Sequence, residues 1–246
     1  MARDELSIAR DVIGIRPLVL TGVTRDRPAM QRGSPQDLKA RFGQLDVEID
    51  AERSAGPNCA QNKLDHRRNA NPGEFVDQLP GGSATNDQDL TATNDALRRP
   101  EFAPPLADIG TLPEVCDRAE LARLSSFWFG PAGTHTPLHH DTLMPFHTQV
   151  VGRKRWRFIA PLQTPRPHHH HNEFRPIDLD RPDFSKYPLF RDVKVLEVTA
   201  EPDDSVFLPF GGWHQPTALD TSLSFSYSNL AVPNHYNYLN PEIRNW

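Results

Sequence analysis

The sequence is poor in cysteine, in long apolar runs and in excess positive charge. Its 246 residues include two cysteines, Cys59 and Cys116, and no CxxC pair. This is not the pattern of a disulfide scaffold or of a cysteine-based metal site. No apolar run reaches the roughly 18 residues of a membrane span. The opening MARDELSIARDVIGI lacks the apolar core of a signal peptide, so we expect a cytoplasmic protein without membrane attachment.

The charge and proline content restrict the partner and the fold. A net charge of −5 gives no general attraction for nucleic-acid phosphates, so a nucleic-acid partner is not expected. The 24 prolines indicate many turns and few long helices.

The first 110 residues divide into two segments of different texture. Residues 1–50 predict an N-terminal α/β segment, because Ser34 and the proline after it form a helix start. Short strands are expected at 17–20 and 46–50. Residues 51–110 are rich in Asn, Asp, Gly, Pro and Ala, and we expect an irregular insert or lid there with a helix near 74–79.

Residues 111–246 predict the core domain, because strand patterns follow one another from residue 124 onwards. The candidates are 124–129, 136–141, 146–151, 154–159, 193–198, 205–210, 213–218 and 222–228. Short strands separated by turn residues, with no helices between most of them, favour a β-sandwich, jelly roll or barrel. The sequence therefore predicts a mainly β fold with an N-terminal α/β extension.

His139 and Asp141 form the first part of a candidate metal site. Residues two apart in a strand point to the same face, so these side chains project together and His140 points the other way. Two histidines and one carboxylate leave open positions on a divalent metal, as in non-haem Fe(II) oxygenases. A lone His-x-Asp is common by chance. The Gly130–Gly133 turn before it and the strands after it make the metal-binding interpretation stronger.

Three further residues are candidates for the same site. His214 is the candidate third ligand, and the alternative is a rim histidine packed on Trp213. Lys154 is the candidate partner for the distal carboxylate of an oxo-acid, although the run Arg153–Arg155 also fits a solvated hairpin. Thr136 would add a hydroxyl to that carboxylate.

The stretches FWFGPAGTHTPLHHD, QVVGRKRWRFIAP and VTAEPDDSVFLPFGGWHQ resemble the JmjC-type, cupin-like family of Fe(II)- and 2-oxoglutarate-dependent oxygenases. That family includes the factor-inhibiting-HIF asparaginyl hydroxylase. The resemblance covers about residues 124–230. It implies a double-stranded β-helix, which is a jelly-roll variant, and an oxygenase that consumes O2 and releases succinate and CO2.

The resemblance also implies roles for individual residues. His139, Asp141 and His214 match the Fe(II) ligands at the catalytic centre. Lys154 and Thr136 match the residues that hold the distal carboxylate of the 2-oxoglutarate co-substrate.

The sequence departs from the family pattern at three points. Pro145 stands where many relatives have an asparagine, and residues 51–110 contain no tyrosine to contact the co-substrate. Ser226 and Asn229 both remain candidates for the polar last-strand residue near the iron and co-substrate, because the strand register is open.

The expected function is hydroxylation of a protein or peptide side chain, or of a small peptide-like metabolite. One alternative is a cupin metalloenzyme that uses no 2-oxoglutarate, with His135 as a further ligand. The other is a catalytically silent binding module. We interpret the His168–His171 run as a surface loop, with a secondary metal site as the alternative. The final segment, 234–246, is a candidate homodimer contact.

Overall fold

The computed structural model describes residues 16–55, 63–79, 83–90, 96–110, 115–163, 174–232 and 234. The His168–His171 run and nearly all of 234–246 lie outside these ranges. Within them, the strands are β1 Leu18–Leu20, β2 Val47–Asp50, β3 Arg67–Ala70, β4 Ser125–Gly130, β5 Phe146–Val151, β6 Lys154–Ile159, β7 Val195–Ala200, β8 Ser205–Phe207, β9 Trp213–Ala218 and β10 Ser222–Tyr227. The helices are α1 Ala29–Arg32, α2 Pro35–Phe42, α3 Lys63–His66, α4 Pro72–Gln78 and α5 Ala103–Ile109. None of these helices has the length and apolar character needed to cross a membrane.

Two antiparallel sheets form the body of the fold. The large sheet has the order β1-β8-β5-β10-β4, and the small sheet has the order β7-β6-β9. From β5 to β10 the chain crosses repeatedly between the two sheets, which is the connectivity of a jelly roll. The predicted mainly β jelly-roll fold is confirmed. A separate ribbon of β2 and β3 belongs to the N-terminal half.

The prediction of a regular strand at 136–141 is wrong. This segment makes only single bridges to β9, pairing His135 with Thr217 and His139 with His214. The two bridged residues are four positions apart on this segment and three positions apart on β9, so the register shifts between the bridges. Pro137 has no N–H to donate to a ladder, which also prevents regular pairing. The segment still adds an irregular fourth strand beside β9.

The N-terminal helix α2 begins as the sequence predicts. The Ser34 hydroxyl accepts a hydrogen bond from the Asp37 N–H at 3.1 Å, and the Asp37 carboxylate accepts one from the Ser34 N–H at 3.3 Å. This reciprocal capping box satisfies two N–H groups that no helical carbonyl reaches. Pro35 occupies the first turn, where its fixed φ suits the helix.

Several of the described parts of residues 51–110 pack on the outer face of the large sheet. Helix α4 buries Phe75, whose ring lies 5.3 Å from that of Phe129 on β4. Phe102 and Ile109 belong to the same buried apolar cluster. These contacts cover one face of the sheet, and the exact boundary of an insert or lid stays a prediction.

The two faces of the large sheet differ in character. On β10, Leu223 and Phe225 point outward into the apolar cluster, as a period of two requires. Ser224 and Ser226 point instead toward the small sheet. The space between the two sheets therefore contains polar side chains beside an apolar cluster that includes Trp156 and Val206.

A buried ion pair ties the N-terminal half to the segment beside β9. Arg53 Nη1 lies 3.0 Å from Asp89 Oδ2, and the two side chains are 4% and 7% exposed. Arg53 also donates from Nη2 to the carbonyl of His135 at 2.9 Å. The guanidinium thereby positions a stretch of backbone that leads directly to His139.

Replacing Arg53 with methionine should lower the free energy of unfolding by about 3–5 kcal/mol, because it leaves the Asp89 carboxylate buried without its cation. Urea unfolding measures the change. The matched control is Arg68→Met, which breaks the exposed Arg68–Glu52 pair and should cost below about 1 kcal/mol. Equal losses in the two variants would contradict the structural role of the buried pair.

Candidate metal centre

The backbone places His139 and His214 directly opposite each other. The His139 N–H donates to the His214 carbonyl at 3.0 Å, and the His214 N–H donates to the His139 carbonyl at 2.7 Å. Side chains of such a pair lie on the same face of the sheet. The two imidazole centroids are accordingly 4.2 Å apart.

Asp141 completes a compact group of three. Its Oδ2 lies 3.6 Å from His214 Nε2, and its Oδ1 lies 4.0 Å from His139 Nε2. The candidate ligand atoms of the three residues all lie within 4.8 Å of one another. Among the described residues, this is the one group of His, Cys, Asp or Glu that converges in this way, and His135 is not part of it.

Hydrogen bonds to the backbone fix the tautomer of both histidines. His139 Nδ1 lies 2.8 Å from the Pro137 carbonyl, and His214 Nδ1 lies 2.9 Å from the Gly212 carbonyl. A carbonyl oxygen only accepts, so each Nδ1 carries the proton. Each Nε2 then presents a lone pair toward Asp141, as in metal-ligating histidines. The donor set fits a divalent metal of the two-histidine, one-carboxylate type.

Burial keeps both imidazoles neutral. It lowers the pKa of His214 to about 4. Burial, and then the neighbouring His214, lower the pKa of His139 to about 3. Burial also raises the pKa of the Asp141 carboxyl. Neutral imidazoles are the form that binds a metal, and a cation would favour the ionised carboxylate.

Lys154 points into the space between the sheets. Its Nζ donates to Ser224 Oγ on β10 at 2.8 Å, and no carboxylate of the described residues lies within ion-pair distance. Burial lowers the pKa of its ammonium group to about 8. Its neighbours behave differently, since the exposed Arg153 pairs with Asp220 on the surface. The solvated-hairpin interpretation therefore holds for Arg153 and not for Lys154.

Thr136 lies in the irregular segment beside β9. Its N–H donates to the Pro216 carbonyl at 3.3 Å. Pro216 on β9 pairs with Trp156 on β6, and Trp156 is two residues from Lys154. No hydrogen bond joins the Thr136 hydroxyl to Lys154 among the residues that the structure describes.

The two last-strand candidates occupy different places. Ser226 lies on β10 opposite His147, and its Oγ accepts a hydrogen bond from Trp128 Nε1 at 2.8 Å. Asn229 lies beyond the end of β10, where its Nδ2 donates to the Asp117 carbonyl at 2.5 Å. Ser226 thus shares the interior with His147, whereas the Asn229 amide holds a neighbouring loop.

Three contacts of the interior were not evident from the sequence. Ser224 is the partner of Lys154, which only the sheet pairing reveals. His147 is buried between the rings of Trp128 and Trp156, which only the packing of the two sheets reveals. The rim histidine that packs on Trp213 is His140, with centroids 4.6 Å apart, and not His214.

Comparison with known proteins agrees with this architecture. The family described as the cupin-like domain matches residues 7–239. The JmjC domain-containing protein D of Dictyostelium discoideum is 26% identical over 233 residues, which is 85% of this chain and 50% of that protein. Lysine-specific demethylase 8 of Xenopus tropicalis is 33% identical over 135 residues, which is 52% of this chain and 30% of that protein.

A third relative is the human HSPB1-associated protein 1, which is 34% identical over 103 residues, or 39% of this chain and 21% of that protein. The matched parts thus span half or less of the length of these relatives.

The stability of the metal-free protein should fall as the pH is lowered from 7 to 5. The folded-state pKa values of His139 and His214 lie below the ordinary 6.5. Below pH 7 the unfolded chain therefore binds more protons at these residues than the folded chain does. Each such histidine should remove up to about 1.4 kcal/mol of unfolding free energy per pH unit. Urea unfolding at several pH values measures this slope.

Two variants test the sign of this dependence. His214→Gln should flatten the slope of unfolding free energy against pH, because it removes one histidine that stays unprotonated in the folded chain. Asp141→Asn should steepen it, because the raised pKa of Asp141 lets the folded chain gain protons and so opposes the histidines. A stability that does not change between pH 7 and 5 would contradict the buried neutral state of the centre.

Proposed function

The chain belongs to the cupin-like domain family, and we propose that it is an Fe(II)- and 2-oxoglutarate-dependent oxygenase that hydroxylates a protein or peptide side chain. The single observation that carries the proposal is the convergence of His139, Asp141 and His214 in an interior that also contains the Lys154 ammonium. The first three would hold the metal, and the fourth offers a cation to a dicarboxylic co-substrate.

The metal-binding role follows from the donor atoms. Two Nε2 lone pairs and one carboxylate suit Fe(II) and leave other coordination positions for co-substrate and O2. The chemistry supplied by bound Fe(II) and 2-oxoglutarate would be activation of O2, with one oxygen atom going to a substrate C–H bond and the other to succinate as CO2 is released. The carbonyls of Pro137 and Gly212 would keep both imidazoles oriented throughout.

Lys154 would bind the co-substrate by charge. A buried cation is stabilised by a carboxylate with which it makes a direct, hydrogen-bonded pair. Ser224 already orients the ammonium group from the opposite sheet. At neutral pH most of the Lys154 population remains charged, since its pKa is about 8. Thr136 and Ser226 are proposed as lesser contributors to the same pocket, and Asn229 is not, because its amide holds the loop at Asp117.

The two alternatives have less support. A cupin metalloenzyme with His135 as a further ligand would need that residue near the other three. Its backbone is held elsewhere, by Asn86 at 2.9 Å and by Arg53. A silent binding module would have no use for three converging ligand side chains with both histidines fixed in the metal-binding tautomer.

A second substrate class is favoured by one specific observation. Three relatives carry the name lysine-specific demethylase, from Xenopus tropicalis, Danio rerio and Arabidopsis thaliana. Hydroxylation of an N-methyl carbon gives a product that loses formaldehyde, so one oxygenase site can serve both outcomes. A methylated lysine is therefore the second candidate, and a small peptide-like metabolite is the third.

Anaerobic reconstitution with Fe(II) and 2-oxoglutarate should give a weak visible metal-to-ligand charge-transfer band. The band should vanish in Asp141→Ala, because a ligand is lost. Lys154→Ala should need at least about 30-fold more 2-oxoglutarate, because truncating one partner of a buried charge pair is costly. His140→Ala is the matched control and should keep the band, since His140 packs on Trp213.

The alternatives give different results in this experiment. Folded, metal-loaded protein without the band would reject 2-oxoglutarate and favour the cupin metalloenzyme. Folded protein that binds neither Fe(II) nor Mn(II) would favour the silent module.

Product analysis should distinguish hydroxylation from demethylation. Peptide pools with unmodified and N-methylated lysines are incubated with enzyme, Fe(II), 2-oxoglutarate and O2, and succinate is followed alongside peptide mass. Our proposal expects a peptide that stimulates succinate release and gains the mass of one oxygen. Loss of a methylene with formaldehyde release would establish the second candidate. Asp141→Ala is the control, and it should yield neither product.

A further inference from the structure

His147 lies in the interior between the sheets and is not one of the three converging ligands. It occupies the central strand β5 and faces Ser226 on β10. Its ring packs against Trp128 at 5.5 Å and against Trp156 at 4.9 Å, measured between centroids. The residue is only 8% exposed. Two tryptophans from opposite sheets therefore hold one polar ring in a fixed place.

One ring nitrogen of His147 lacks a partner. Its Nδ1 is buried and makes no hydrogen bond with any residue that the structure describes. A buried polar atom in this state loses the hydrogen bonds that water would give it. Native proteins satisfy nearly all such atoms, so an unsatisfied one indicates a bound ligand or an ordered water.

The surroundings indicate that such a ligand would be an anion. Trp156 contacts both the His147 ring, at 4.9 Å, and the His214 ring, at 6.1 Å between centroids. The Lys154 ammonium acts electrostatically on the His147 imidazole, and so do His214 and His139. Burial first, and then these neighbours, lower the pKa of His147 well below its ordinary value. Ser224, the partner of Lys154, is two residues from Ser226, which pairs with His147. The His147 ring thus lies within reach of the Lys154 charge and shares the Trp156 contact with the metal centre.

We propose that His147 is a co-substrate-binding residue whose ring N–H donates a hydrogen bond to the carboxylate that Lys154 holds. The inference rests on the proposed function and deepens it by naming a further donor for the same anion. A neutral imidazole can donate without adding a second positive charge beside Lys154. Pro145, which directly precedes β5 and is two residues before His147, has no side-chain group that could donate a hydrogen bond to this carboxylate.

Two substitutions separate hydrogen bonding from packing. His147→Phe keeps a ring between Trp128 and Trp156 but removes the donor, whereas His147→Gln keeps an N–H donor and removes the ring. The dissociation constant of 2-oxoglutarate is measured anaerobically on the Fe(II) protein from the charge-transfer band. His147→Phe should raise it by about tenfold or more, as expected for a hydrogen bond to a charged group. His147→Gln should recover most of the affinity.

Three controls locate the contact. Mn(II) affinity, read by electron paramagnetic resonance, should stay unchanged in both variants. The affinity for 2-oxobutyrate, which lacks the distal carboxylate, should also be the same in wild type and His147→Phe. His66→Phe, a histidine replacement outside the interior, should bind 2-oxoglutarate as the wild type does.

The opposing results are distinct. Equal weakening by His147→Phe and His147→Gln, or no weakening by His147→Phe, would overturn the inference and leave His147 as a packing residue. Equal weakening of 2-oxobutyrate binding would overturn the assignment to the distal carboxylate. A metal-loaded wild type that binds no 2-oxoglutarate would overturn the proposed function itself, and this inference with it.

Discussion

The reciprocal pair of backbone hydrogen bonds between His139 and His214 is the constraint on which the centre depends. It joins an irregular segment to a late strand of the small sheet, and it sets the two imidazoles 4.2 Å apart before any metal is considered. Because Pro137 prevents a regular ladder, the other bonds of this segment go to separate partners, such as the Pro216 carbonyl and the Arg175 N–H. Arg53 supplies one of them from the N-terminal half, through the His135 carbonyl. The site's geometry therefore draws on parts of the chain far from it in sequence.

The large sheet separates stability from chemistry by its two faces. Its outer face buries Phe127, Phe129 and Phe225 with the N-terminal helices, and apolar burial of this kind favours the folded state. Its inner face carries polar groups, including His147 and Ser224, whose burial is costly unless they are hydrogen-bonded. The period of two along each strand allows one sequence to meet both demands.

Much of this arrangement was predictable from alternation and spacing. The bounds of β5, β6 and β9, the helix start at Ser34 and the confirmed jelly-roll fold follow from local patterns that tertiary contacts do not reverse. The irregular pairing at 136–141 was not predictable, because it depends on a register shift against a distant strand. The same limit applies to Ser226 and Asn229, since only the strand register tells which one faces inward. The packing of His140 on Trp213 was likewise not predictable, because it depends on tertiary contacts.

The charges of the interior give the two proposed ligands a common physical basis. The metal-free interior holds neutral imidazoles, the Asp141 carboxyl and the Lys154 ammonium, and it has no carboxylate within ion-pair distance of Lys154 among the described residues. A divalent metal alone would leave an excess of positive charge in a region of low dielectric constant, and a dicarboxylate alone would leave an excess of negative charge. Either excess is costly to bury. With both present, Asp141 and Lys154 ionised, the charges cancel. The proposed Fe(II) and 2-oxoglutarate should therefore stabilise each other's binding, and His147 fits this balance because it can donate while remaining neutral.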